Sequence, residues 1–96
     1  MPAVKIVRYT TTPDSADENA RLVQDVYAEL AQTNPDGLRY TTFRLDDGVS
    51  FVHIARGNRQ ALGQVAAFQE FQRDIAARVE TGPDATPATV VGSYQS

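Results

Sequence analysis

Residues 37–56, GLRYTTFRLDDGVSFVHIAR, decide the fold. β-Branched and aromatic residues flank Asp47-Gly48, a dipeptide that supplies the positive φ angles of a two-residue type I′ turn. The stretch therefore reads as two strands joined in a hairpin. A turn there pairs Asp46 with Val49, Arg44 with Phe51, Thr42 with His53 and Tyr40 with Ala55. Side chains alternate across a sheet, so these residues share one face. The other face carries Phe43, Leu45, Val52 and Ile54, with Arg39 and Arg56 at its far end. That second set is apolar and is expected to lie beneath helices. The first is mixed, and Tyr40 and Phe51 give it more aromatic surface than exposure to water favours. A second subunit is expected to cover it.

Working outward, Ala3 to Thr10 is a strand with apolar residues on both sides, the pattern of a strand inside a sheet. Pro13 ends it. Ser15-Ala16-Asp17-Glu18 then fits a capping box, with acidic residues at the positive end of the helix dipole. Ala16, Ala20, Val23, Tyr27, Leu30 and Ala31, with Val26 beside them, recur at helical spacing, while Glu18, Arg21, Asp25 and Glu29 form the solvated side. Asn34-Pro35-Asp36-Gly37 turns the chain into the hairpin.

Beyond the hairpin, Gly57-Asn58 breaks the chain. A second helix is expected from about Arg59 to Val79, its buried stripe being Ala61, Val65, Phe68, Ile75 and Val79, with Leu62 and Phe71 at the margins. Gly63 inside it marks a kink or a separate short helix, since glycine costs about 1 kcal/mol there. Thr81 to Pro87 reads as a loop and Ala88 to Tyr94 as a last strand. The order is β-α-β-β-α-β, the ferredoxin-like α+β plan: a four-stranded antiparallel sheet with both helices on one face. Two such sheets packed together would close a barrel.

Composition narrows the function classes. The chain has 96 residues, enough for a single domain spanning 1–96 with one modest core. Nine basic against twelve acidic residues give a net charge of -3, which speaks against nucleic acid. No apolar run approaches the roughly 20 residues that span a bilayer, and MPAVKIVRY lacks signal-peptide architecture, so the cytoplasm is the expected location. The absence of cysteine removes disulfides, thiol nucleophiles and thiolate metal sites. One histidine and scattered acids offer no metal-ligand spacing, so no metal is expected.

Gly37-Leu38-Arg39-Tyr40 at the head of the hairpin, Ser50-Phe51-Val52-His53-Ile54 in its second strand, and LGQVAAFQEF from Leu62 to Phe71 together resemble the dimeric α+β barrel superfamily. The branch they are most similar to is the antibiotic-biosynthesis-monooxygenase type. The resemblance runs along nearly the whole chain. It implies a homodimer with a pocket between sheet and helices, and no cofactor. Members include cofactor-free oxygenases of aromatic substrates, haem-degrading enzymes and proteins of unknown role. The haem-degrading branch relies on an Asn, a Trp and a helical His; this chain has no tryptophan, and its one histidine falls on a strand.

Candidate residues follow. His53 is the only side chain whose ordinary pKa lies near neutrality. The hairpin register puts it with Tyr40, Thr42, Arg44 and Phe51 on the face expected to meet a second copy, away from the pocket. Tyr27, Phe68 and Phe71 suit either an aromatic pocket wall or plain packing on the sheet. Tyr9 and Tyr94, on strands that this order sets side by side, either offer a phenol to a pocket or fill the barrel. Arg39, Arg44 and Arg56 suit a carboxylate or phenolate, or surface pairing with acids. The pocket-lining set is thus Tyr9, Tyr27, Arg39, Phe68 and Phe71. Two function classes stand: a homodimeric barrel without activity that holds an apolar or aromatic small molecule, and a cofactor-free monooxygenase or isomerase acting on an aromatic, polyketide-like one. A purely structural module is a third. Polar groups converging on one apolar cavity would separate the first two.

Overall fold

In the computed structural model, which describes residues 3–94, four strands form one antiparallel sheet in the order β2-β3-β1-β4. They are β1 (Ala3–Thr11), β2 (Leu38–Arg44), β3 (Ser50–Gly57) and β4 (Val79–Thr89). Helix α1 (Ala16–Thr33) joins β1 to β2, and three short helices, α2 (Gln60–Gly63), α3 (Ala66–Arg73) and α4 (Ile75–Arg78), join β3 to β4. This is the ferredoxin-like α+β order expected from sequence. Among the described residues no helix is long and apolar enough to cross a membrane.

The hairpin register is the one that the sequence sets: Tyr40 opposes Ala55, Thr42 opposes His53 and Arg44 opposes Phe51. The turn chemistry differs. Leu45 and Ser50 close a longer loop, and Asp47 keeps a negative φ while Gly48 takes a φ of 79°, so the turn is not type I′. Asp47 instead uses its carboxylate to accept the amides of Val49 and Ser50 and the Ser50 hydroxyl. These bonds hold its pKa below the usual carboxylate range, the Ser50 hydroxyl foremost. Gly57, where β3 ends, has a φ of 83°, and a Cβ there would collide with the Gly37 carbonyl. Only glycine lets the two ends of the hairpin close against each other.

The faces of the hairpin are reversed from expectation. Phe51, His53 and Ala55 are buried beneath the helices, whereas Phe43 on the other face is 49% exposed and Val52 and Ile54 are half-buried. The β1–β3 ladder fixes this, since Val7 opposes His53 and Tyr9 opposes Phe51, and all four face the helical layer. The aliphatic residues looked like the core by hydropathy alone. An aromatic or imidazole side chain buries as well once its polar tip is bonded, and here every tip is. The assignment of Tyr40, Thr42, Arg44, Phe51 and His53 to a dimer interface is therefore corrected: Tyr40, Thr42, Phe51 and His53 lie beneath the chain's own helices, and Arg44 stands exposed at the rim of that face.

The helical layer departs in detail. Ser15 makes no side-chain cap bond, and a 3-10 turn at Pro13–Ser15 leads into α1 instead. Glu18 pairs with Arg21, so the capping box does not form. Buried Ala16, Asn19, Val23 and Val26 set the inner stripe of α1, and Asn34, with a φ of 46°, ends the helix in the left-handed region. Glu29, expected on the solvated side, accepts the amides of Ala66 and Ala67 at 3.0 Å each, capping α3 from the neighbouring helix. The single long second helix breaks after Gly63 and again at Asp74. Each break resets the helical phase, so Leu62, Val65 and Phe71 are the buried set and Phe68 is only half-buried.

The final strand lies earlier than expected. Val79–Thr89 pairs along β1, with register shifts between Arg8 and Thr11, although the segment holds Pro83 and Pro87. An edge strand has one free side, where proline's missing N–H goes unnoticed. Tyr94 lies outside any strand and is 90% exposed, so it does not stand beside Tyr9.

Candidate functional site

Along β1 and β3 the pleat aims Val7, Tyr9, Phe51 and His53 at the helices. The His53 ring sits at the centre of a polar chain that crosses the core. Its Nε2 lies 2.7 Å from the Tyr9 hydroxyl, and its Nδ1 lies 2.5 Å from the Tyr40 hydroxyl and 3.1 Å from Thr42 Oγ1. Beyond Tyr9, Asn19 of α1 donates to Oη at 2.9 Å, and Arg78 of α4 donates from Nε to Asn19 Oδ1 at 3.1 Å. Beyond Thr42, the Tyr27 hydroxyl lies 2.8 Å from Oγ1. No buried side-chain polar atom among the described residues lacks a partner.

Donor bookkeeping fixes the protons. Arginine can only donate, so Asn19 Oδ1 must accept, and its amide nitrogen then points at Tyr9. Tyr9 Oη accepts that bond and has its own hydrogen left to give, which goes to Nε2. The imidazole therefore accepts at Nε2 and carries its proton on Nδ1, donating to Tyr40. The opposite tautomer would strand the Tyr9 hydrogen in a site that is 2% exposed, at a cost of about 1–3 kcal/mol. The Tyr40 hydrogen is committed to no ring nitrogen. It is free to turn to neighbouring Thr42 or to the cavity above.

Burial keeps the ring neutral, pulling the His53 pKa down to about 4. It pushes Tyr9 up to about 12 and Tyr40 higher than an ordinary phenol. At neutral pH the chain is therefore one uncharged imidazole between two protonated phenols, with the charge held at the far end by Arg78. That guanidinium is anchored by the Phe71 carbonyl at 2.6 Å and lies 5.3 Å over the Phe71 ring.

Above this floor is a cavity of about 560 Å³ between sheet and helices, within the range of small-molecule sites. Leu62, Phe68, Phe71 and Ile75 form its helical wall, and Val7, Ala55 and Ala85 its sheet side. Tyr9, Tyr40 and His53 are the polar groups at its base; Lys5, Arg59 and Gln72 line it from more exposed positions. Tyr27 stacks on the outer side of Tyr40 at 5.3 Å, supporting the floor without lining the cavity. Among the described residues no group of three or more His, Asp or Glu side chains is placed to hold a metal.

The structure thus brings Tyr9, Phe68 and Phe71 to one cavity, sets Tyr27 one layer away, and puts Arg39 on the opposite sheet face next to Arg56. His53, Tyr40 and Phe51, placed in sequence on the far side, belong to the helix side. Arg44 pairs with Asp17 at 3.1 Å and lies 5.6 Å over the Phe51 ring, sealing the hairpin against the start of α1. Asn19 and Arg78 were not singled out in sequence. Asn19 lies three residues after Ala16 on the apolar stripe of α1, and a polar residue in such a stripe is the signal that marks it.

No family model matches the chain, and no curated protein matches it. Solved structures do. Rv0793 from Mycobacterium tuberculosis is 17% identical, with a TM-score of 0.70 over 99% of this chain and 100% of that one. A putative antibiotic biosynthesis monooxygenase from Nitrosomonas europaea is 14% identical, with a TM-score of 0.77 over 94% of this chain and 99% of that one. A variant of SnoaB, a cofactor-independent oxygenase from Streptomyces nogalater, is 17% identical, with a TM-score of 0.69 over 96% and 95%. At such identities the likeness speaks to architecture, and the fold of this chain is that of the antibiotic-biosynthesis-monooxygenase-like α+β proteins.

Proposed function

We propose that this chain binds a flat aromatic small molecule in the cavity over His53, as one half of a homodimer. The observation that carries the reading is convergence: two phenols and an imidazole, linked to one another, meet at the base of an otherwise apolar cavity. Plain packing would call for no such set of polar tips at a cavity. The Tyr40 hydroxyl is the group that offers a ligand oxygen its hydrogen bond. Fluorescence titration with a polycyclic aromatic ketone tests this. Binding that weakens severalfold in Tyr40→Phe supports the reading, and equal binding in the variant counts against it.

A second copy belongs on the uncovered sheet face, where Ile6, Phe43, Val52 and Ile54 are left half-buried or exposed by this chain alone. The resemblance to dimeric α+β barrels supports that placement. Sedimentation of the wild type and of Phe43→Asp tests it, with a dimer expected from the first and a monomer from the second.

A catalytic reading is favoured by the Tyr40 hydroxyl, whose hydrogen is not taken by His53 and can turn to the cavity, where it would stabilise the anion of a bound hydroxyaromatic. Such a substrate, once deprotonated, can reduce dioxygen itself: a ring CH₂ becomes a carbonyl, and the second oxygen leaves as water with the two hydrogens. This is cofactor-independent monooxygenation, and SnoaB is named a cofactor-independent oxygenase. Oxygen uptake with an anthrone and no added cofactor, lost in Tyr40→Phe, would establish it.

A further inference from the structure

The cavity carries a charge pattern at odds with the rest of the molecule. The chain has twelve acidic and nine basic residues, yet among the described residues no carboxylate lines this cavity, while Lys5 and Arg59 both do. Among the described residues neither cation is spent elsewhere: the ion pairs join Arg21 to Glu18 and Asp25, Arg44 to Asp17, and Arg73 to Glu70, and the side chains of Lys5 and Arg59 take part in no hydrogen bond there.

Their position follows from the ladder. Lys5 opposes Ala55 on the helix side, one pleat repeat from the Val7–His53 row. At about 3.4 Å per residue, that row lies about 7 Å from the Lys5 row. Arg59 follows Gly57, where β3 ends on the same side as Lys5. Tyr40 also opposes Ala55 and so shares the Lys5 row from the β2 side, its hydroxyl reaching across to His53 Nδ1. The cavity thus carries a neutral donor toward β2 and two cations toward β1 and the start of α2, with Ala55, Leu62 and Phe68 among its apolar lining.

We infer that the ligand of this site is an aromatic carboxylic acid, held with its carboxylate against Lys5 and Arg59 and its ring system over the Tyr40–His53 floor. The inference rests on the cavity being the binding site, and it adds the charge and the orientation of the ligand. Because these cations are exposed, each is expected to contribute modestly, and the pair to favour the anion roughly fivefold to tenfold over an uncharged analogue.

The test titrates the full chain with naphthoate and with naphthamide, its uncharged analogue, following the His53 ring protons by NMR as the marker of cavity occupancy. Naphthoate should bind roughly fivefold or more tightly, with an advantage that shrinks as salt is raised. It should fall to near parity in Lys5→Gln/Arg59→Gln. The control is Arg8→Gln, which removes a cation from the opposite sheet face and should leave both affinities unchanged. Equal binding of the two probes, both shifting His53, would overturn the acid inference and leave the cavity reading standing. An equal loss of naphthoate affinity in Arg8→Gln would overturn it as well, by tracing the preference to overall charge. If neither probe shifts His53, the cavity reading fails, and the inference fails with it.

Discussion

Tyr9 Oη and His53 Nε2 lie 2.7 Å apart, a bond that joins the two inner strands beneath the helical layer. Tyr9 is held in turn by Asn19 of α1, and Asn19 by Arg78 of α4, so sheet and both helical segments share one proton chain. The floor of the site is consequently part of the core.

This makes stability depend on pH. The unfolded imidazole takes a proton near 6.5, whereas the buried one does so only at about 4. Between these values the unfolded chain binds more protons, so the contribution is full above about 6.5 and is lost as the pH falls toward 4. Its size is about 3 kcal/mol, at about 1.4 kcal/mol per pKa unit. Denaturant melts across this window should show the fall in the wild type and a flatter profile in His53→Gln. A wild-type imidazole that titrates near 6.5 by NMR would contradict the burial argument.

Asn19→Leu should cost at least about 2 kcal/mol. It leaves the buried Arg78 guanidinium with the Phe71 carbonyl alone and the Tyr9 phenol with His53 alone, and a lost bond to a charged group costs about 1.5–3 kcal/mol. Urea unfolding measures it. A loss below 1 kcal/mol would mean that water or a shift of Arg78 replaces the amide.

The two phenylalanines of α3 should behave differently. Phe71 is 4% exposed and packs on Tyr9, His53 and the Arg78 guanidinium. Its replacement by alanine should cost about 3–5 kcal/mol, the usual range for emptying a large core site. Phe68 is half-buried and borders the cavity, so Phe68→Ala should cost clearly less while weakening ligand binding. Equal stability losses would place both in the core.

Glu29→Ala should cost about 0.5–2 kcal/mol, as the loss of a helix cap does, although the cap comes from another helix. Hydrogen exchange at Ala66 and Ala67 should speed up, because both amides lose their acceptor.

Much of this architecture was legible because it rests on local chemistry. The alternation around Asp47-Gly48 set the strand register, and Asn34-Pro35 and Gly57-Asn58 set the breaks. The facing of the sheet was harder to see, because hydropathy ranks Val52 and Ile54 above His53 and Thr42. What reverses the ranking is the satisfaction of His53 by Tyr9 and Tyr40, residues 44 and 13 positions away. No local pattern carries that. The same holds for Glu29, whose role depends on where α3 begins, and for β4, which pairs through backbone groups that sequence propensity does not describe.

The central claim is that the cavity over His53 is where a ligand binds, and Ala55 offers the most direct measurement. It faces the cavity from β3, and Ala55→Leu fills space without removing any polar group. The His53 ring resonances should shift to saturation as naphthoate is added to the wild type, and should stay unmoved in a folded Ala55→Leu variant. Naphthoate bound with the same affinity by both proteins, or bound to the wild type with the His53 resonances unmoved, would contradict the account.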